Sequence, residues 1–217
     1  MIISHRHKFL YVKTRKTAST SLEIALSRFC GPEDVITKIV AKDEAVRARL
    51  GHPGPQNEFV QDGSGRPFEL INHTPAAVAR DLLGDRWHEY FTFTIERNPF
   101  DRVISQYWWE VQGVADPPPI SQLIEHGRPE LLSNWHLYAD GDRPIVDFVG
   151  RYESLDESLT LIAERIGLSE PIVLPKQKTK SDFRRDRRPW REVLSAADRR
   201  LIETACRREL DAFGYAW

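Results

Sequence analysis

Apolar and polar positions along the chain switch between two periods, and the switches outline strand-loop-helix units. Phe9, Leu10, Tyr11 and Val12 form a short β-prone run suited to a buried strand. Leu22, Ala25, Leu26 and Phe29 then recur at helical spacing until Gly31-Pro32 ends the pattern. The same switch occurs at Phe91–Ile95, a β-branched and aromatic run. It is followed by Glu96-Arg97-Asn98-Pro99 and by Phe100, Val103, Ile104, Tyr107 and Val111 at helical spacing. Asn98 suits the helix N-cap and Pro99 its first turn. Pro144–Tyr152 reads as another buried strand, after which Ser154-x-x-Glu157 opens a helix bearing Leu155, Leu159, Ile162 and Ile166 before Gly167. Between these units the spacing predicts helices over Lys42–Leu50, over Ala76–Leu83 with Thr74 as cap and Gly84 as stop, and near Ile120–His126. A last helix opens at Ser195-x-x-Asp198. Segments 31–66 and 113–143 are rich in Pro, Gly and polar residues. The order predicts an α/β fold with a mostly parallel sheet wrapped by helices. It shows no internal repeat and no linker, so residues 1–217 are expected to form a single domain.

The loop after the first strand carries the candidate chemistry. Lys13, Arg15 and Lys16 precede Thr17, Ser19, Thr20 and Ser21 at a helix start. Backbone N–H groups there lack helical partners and carry the positive end of the helix dipole. Cations and hydroxyls added at that point make a seat for phosphate or sulfate. Capping alone needs one hydroxyl, not four beside three cations. The Gly-rich nucleotide loop G-x-x-x-x-G-K-[ST] is absent, since no glycine lies between Met1 and Phe29.

Composition narrows the class. The formal net charge is −1, which argues against a general nucleic-acid binder. No window approaches a membrane span, and MIISHRHKFL lacks a signal-peptide core. Cys30 and Cys206 make no metal or redox spacing. Positive charge is concentrated instead in Lys176–Arg191, with eight Lys or Arg against two Asp in sixteen residues.

VKTRKTASTS resembles the 5′-phosphosulfate loop of sulfotransferases, particularly the family of carbohydrate 2-O-sulfotransferases. There the segment reads close to V-P-K-T-A/G-S-T-S. Lys16 through Ser21 match, and Arg15 stands where proline is usual. FTIERNPFDRVISQYWW resembles that family's 3′-phosphate loop, in which an arginine ends the strand and a serine follows eight residues later, as Arg97 and Ser105 do. The resemblance implies a P-loop-like three-layer fold and 3′-phosphoadenosine 5′-phosphosulfate as donor without a metal. It also implies donor binding by Arg15, Lys16, Thr17, Ala18, Ser19, Thr20, Ser21, Arg97 and Ser105. The acceptor it implies is a hydroxyl on a sugar or small metabolite. The Golgi relatives carry a membrane anchor that has no counterpart in this sequence, so the expected setting is that of a cytoplasmic, bacterial-type member that engages no membrane.

Transfer needs charge stabilisation at the leaving oxygen and a base for the acceptor. Lys16, a compact point charge, suits the first task. His73 suits the second, because imidazole titrates near neutrality and NHTPAAVARDLLG resembles the family's histidine region between the phosphate loops. His136 is the reserve base, and Glu96 reads as the ion-pair partner of Arg97. The family has a nucleotide-closing loop where the basic run falls, which makes Lys178, Arg187 and Arg188 candidates to reach the donor. Tyr107, Trp108, Trp109 and Trp135 are candidates to stack on an acceptor ring. Two rival readings are a P-loop-related kinase, disfavoured by the missing G-K-[ST], and a non-catalytic nucleotide- or nucleic-acid-binding protein.

Overall fold

The computed structural model describes residues 1–62, 64–176 and 184–217. Its strands are β1 (Ile2–Ser4), β2 (Phe9–Tyr11), β3 (Val35–Ile36), β4 (Phe59–Gln61), β5 (Pro67–Glu69), β6 (Phe91–Glu96), β7 (Ala139–Asp140), β8 (Arg143–Pro144) and β9 (Phe148–Arg151). The helices are α1 (Ser19–Ser27), α2 (Ala41–Arg49), α3 (Ala76–Leu83), α4 (Pro99–Glu110), α5 (Ile120–His126), α6 (Pro129–Leu132), α7 (Trp135–Tyr138), α8 (Leu155–Arg165), α9 (Trp190–Val193), α10 (Ala196–Ala205) and α11 (Arg207–Phe213).

A five-stranded sheet, ordered β3-β1-β2-β6-β9, forms the centre. β2 pairs with β6 and β6 with β9 in parallel, while β1 runs antiparallel to both β2 and β3. All but β1 therefore point the same way, and the expected mostly parallel sheet is present. Helices cover both faces. Phe9 and Tyr11 of β2 pack with Phe93, Ile95, Leu22 and Leu26 of α1, and Leu159 and Ile162 of α8. Leu10, between them, packs on the other face with Val12, Ala76 and Ala79 of α3, and Trp135, Leu137 and Tyr138. A strand buried on both faces must be apolar throughout, which is why Phe9–Val12 does not alternate with polar residues. Each such large side chain contributes about 1.5–3 kcal/mol on burial. A third cluster joins Phe100, Val103 and Ile104 of α4 to Ile124, Leu132 and Ile202.

Local signals were kept or overridden for identifiable reasons. Asn98 accepts from the Phe100 amide at 3.0 Å and caps α4 with Pro99 in its first turn. Ser195 and Asp198 form a reciprocal capping box on α10. Thr74 does not cap α3: its hydroxyl closes a turn onto the Ile71 amide and carbonyl at 2.9 and 2.7 Å. Ser154 makes no cap to α8. The strand expected over Pro144–Tyr152 is divided, because Arg143–Pro144 turns back onto β7 and only Phe148–Arg151 joins the main sheet. β1 was not anticipated, and it separates β3 from β2.

Parallel pairing of β2, β6 and β9 brings their carboxyl ends to one edge of the sheet, the edge where open α/β sheets hold ligands. β2 leads there into the 13–18 loop and α1, β6 into Arg97 and α4, and β9 into Tyr152.

Candidate active site

The 13–18 loop is shaped by hydroxyls tied to β6. Thr94 donates to the Val12 carbonyl at 2.8 Å, and Thr14 donates to the Ile95 carbonyl at 2.5 Å. Lys16 and Ala18 take left-handed backbone conformations, with φ of 60° and 58°. Non-glycine residues hold such angles at a cost of about 1–3 kcal/mol each when their surroundings enforce them. Left-handed residues set between residues that are not left-handed turn successive N–H groups toward a common concavity suited to an anion. Ala18 then precedes α1 without a side-chain oxygen to cap it, and Leu22 makes the helix's first bond, to the Ala18 carbonyl. A glycine-free sequence thus achieves a loop geometry usually associated with glycine.

A cavity of about 650 Å³ opens over this loop. Of the residues the sequence pointed to, Arg15, Lys16, Ala18, Ser19, Thr20, Ser21, His73, Arg97 and Ser105 all line it. Thr17 does not: it is buried, and its hydroxyl meets that of Thr14 at 2.8 Å. Lys13 also leaves the expected set of loop cations. It is fully buried, 2.5 Å from Glu23 of α1. Trp108 and Trp109 line the cavity, whereas Tyr107 donates to the Pro118 carbonyl at 2.7 Å and Trp135 lies in the core, donating to the Gly141 carbonyl at 2.9 Å. The ammonium groups of Lys16 and Lys42 stand 4.9 and 5.8 Å from the Trp109 ring.

Arg97 does not pair with Glu96 through its side chain. Its guanidinium binds Asp101, one turn on in α4, with Nε at 2.9 Å, donates to the Lys16 carbonyl at 3.0 Å, and lies 4.2 Å over the Tyr152 ring. Asp101 also accepts from Arg184 Nη1 at 2.7 Å, and the two arginines hold its carboxyl below the usual range although burial opposes them. Arg184 lines the cavity; Arg187 and Arg188 do not, and Arg188 is occupied by Asp186. Lys178 lies outside the described residues. Sequence reasoning missed Arg184, Tyr152 and Asp101. Gln106 and Glu110, also in the wall, were discoverable as helical neighbours of Ser105 and Trp109.

His73 sits in a left-handed turn (φ 64°) with Nδ1 2.9 Å from the Lys13 carbonyl. Since a carbonyl only accepts, Nδ1 carries the proton in the neutral ring and Nε2 keeps its lone pair. Burial, reinforced by Lys13, pushes the imidazole down to about 3, so it is neutral at ordinary pH. His136 does not line the cavity; its Nε2 is 3.3 Å from Arg15 Nη1. Glu96 is buried with Arg102, Asn134 and Tyr138. Burial raises its carboxyl to about 7 against the pull of Arg102.

Two strand-loop-helix units thus place fixed cations and helix-start amides around one cavity, a design for an anionic ligand. A model of the Sulfotransferase family matches residues 1–124, more than half of the sequence, and the chain belongs to that family. An uncharacterised protein of Archaeoglobus fulgidus is 29% identical over 103 residues, which make up 45% of this chain and 86% of that protein. The family match spans both loops and His73, and supports a transferase that moves sulfuryl groups. Among the described residues no helix is long and apolar enough to cross a membrane.

Proposed function

We propose that residues 1–217 act as one sulfotransferase domain that moves a sulfuryl group from 3′-phosphoadenosine 5′-phosphosulfate to a hydroxyl of a sugar or small metabolite. The observation that carries this reading is the convergence of Arg15, Lys16, Ala18, Ser19, Thr20, Ser21, Arg97, Ser105 and His73 on one cavity. Its charge and amide geometry suit the donor: the 13–21 loop would take the 5′-phosphosulfate, and Arg97 with Ser105 the 3′-phosphate, a guanidinium fork matching phosphate through paired hydrogen bonds. The acceptor oxygen attacks sulfur in line. A new O–S bond forms as the S–O bond to the 5′-phosphate breaks, and adenosine 3′,5′-bisphosphate leaves. Lys16 offsets charge growing on the bridging oxygen. His73 Nε2 accepts the hydroxyl proton. The negative charge of the donor opposes the influence of Lys13 and raises the basicity of His73 when it is most needed. Trp108 and Trp109 supply ring faces on which a sugar can stack.

Thermal melting with ligands tests the donor assignment. At 100 times its dissociation constant, adenosine 3′,5′-bisphosphate should add ~2.7 kcal/mol, a shift of several degrees that persists in EDTA. 5′-AMP should give less, and Arg97→Ala should shrink the bisphosphate response more than the AMP response. Equal shifts from the two nucleotides, or a response confined to ATP with magnesium, overturn the reading. Lys16→Ala should lower kcat by about 10² or more, and His73→Ala by roughly 10²–10⁴. Retained activity in His73→Ala, with loss in His136→Ala, would transfer the base role to His136.

A further inference from the structure

We propose that Asn134, a buried residue 119 positions from Arg15 in sequence, is a positioning residue that makes the two loops flanking the cavity respond as one unit. Asn134 Oδ1 accepts from the Arg15 amide at 3.0 Å, and Nδ2 donates to the Arg15 carbonyl at 3.1 Å, so one side chain pairs both backbone groups of the residue preceding Lys16. Nδ2 also donates to Glu96 Oε1 at 3.3 Å. The same carboxylate oxygen accepts the Arg97 amide at 2.8 Å, and the Arg97 guanidinium returns to the Lys16 carbonyl at 3.0 Å. The hydrogen bonds close a ring through Arg15, Asn134, Glu96, Arg97 and Lys16. Only a carboxamide supplies the donor and acceptor that this ring requires from a single short side chain. Asn134 is itself held from behind, its backbone N–H donating to Glu209 Oε1 of α11 at 3.1 Å.

Movement of either loop breaks bonds shared with the other, so a ligand that orders one loop prepares its neighbour. The inference rests on the donor reading in one respect, that a two-phosphate nucleotide engages both loops. Asn134 lies beyond the residues matched by the family.

Calorimetric titration with adenosine 3′,5′-bisphosphate across wild type, Asn134→Leu, Arg97→Ala and the double variant gives the test. Each single change should weaken binding by about tenfold, and the pair by little more than one of them, since both interrupt one ring. A product of about a hundredfold overturns the coupling. Amide hydrogen exchange on the ligand-free protein is the second readout, with Asn134→Ala, which removes both the acceptor and the donor, replacing the leucine variant if that one fails to fold. Exchange at the Arg15 and Arg97 amides should quicken together by about tenfold or more, with β6 interior amides unchanged. Faster exchange at Arg15 alone refutes the coupling. If wild type binds no bisphosphate, the donor reading falls, and the exchange result still decides the coupling.

Discussion

Glu23 and Glu96 are both buried glutamates adjoining the cavity's loops, yet their carboxyl groups are driven in opposite directions. Glu23 lies in α1 beside two buried cations, Lys13 at 2.5 Å and Arg47 at 3.8 Å, and 3.1 Å from the Met1 amino group, which burial lowers to about 6. Burial disfavours its charge, but these cations overcome burial and hold it down to about 2. Glu96, at the end of β6, shares one cation, Arg102, with a second buried carboxylate, Glu209. There burial wins, Glu209 adds to it, and the carboxyl rises to about 7. Equal burial therefore says little about charge state; the ratio of neighbouring cations to carboxylates decides it. The two clusters also serve different parts of the cavity. The backbone of Lys13 orients His73, while Glu96 and Asn134 join the two loops.

The largest effect that can break this comparison is on folding. Glu23→Gln leaves Lys13 and Arg47 buried without their shared counter-charge and should lower unfolding free energy by about 3–5 kcal/mol in urea titration. Glu96→Gln should cost about 1 kcal/mol at neutral pH, because the amide oxygen can still accept from Arg97 and the replaced group is already partly protonated. Equal losses would show that burial, not neighbouring charge, controls both sites.

A smaller effect lies in pH. Between about 4.5 and 7 folded Glu96 holds a proton that the unfolded chain releases, so its contribution to stability falls as pH rises through that range. The stability gap between wild type and Glu96→Gln should accordingly narrow or reverse from pH 5 to pH 8. Glu23 acts with the opposite sign, its contribution being complete above about 4.5 and lost as pH falls toward 2. The gap between wild type and Glu23→Gln should be constant across neutral pH and shrink only in acid. Chemical denaturation at a series of pH values measures both, and a common pH trend in the two variants would contradict the assignment.

Much of the scaffold was legible along the chain because its causes are local. The buried run Phe9–Val12, the Asn98-Pro99 start of α4, the Ser195–Asp198 capping box and the short helix Ile120–His126 each depend on residues within a few positions of one another. Loop hydroxyls and cations at a strand-helix junction were legible for the same reason, and Arg15, Lys16, Ala18, Ser19, Thr20 and Ser21 line one cavity with His73, Arg97 and Ser105, which the family resemblance supplied. The errors have a common origin. Lys13 and Lys16 look alike in sequence, but Lys13 meets Glu23 in the interior and Lys16 lines the cavity. Thr17 looks like Ser19, but its hydroxyl is taken by Thr14. In the basic run the sequence pointed to Lys178, Arg187 and Arg188, but it is Arg184 that Asp101 holds at the cavity.

The sequence by itself determined where strands give way to helices, which two junctions gather cations and hydroxyls, and the family that those junctions resemble. The first two follow from periodicity, capping and residue type, all short-range in the chain, and the third from the resemblance of whole motifs. Tertiary structure alone decided which charged groups face the cavity and which are consumed in the core. It also set the tautomer that His73 is held in, and the joining of the two loops through a side chain far along the sequence. Those outcomes depend on partners brought within hydrogen-bonding distance by sheet order and helix docking, and no local pattern records a partner's position.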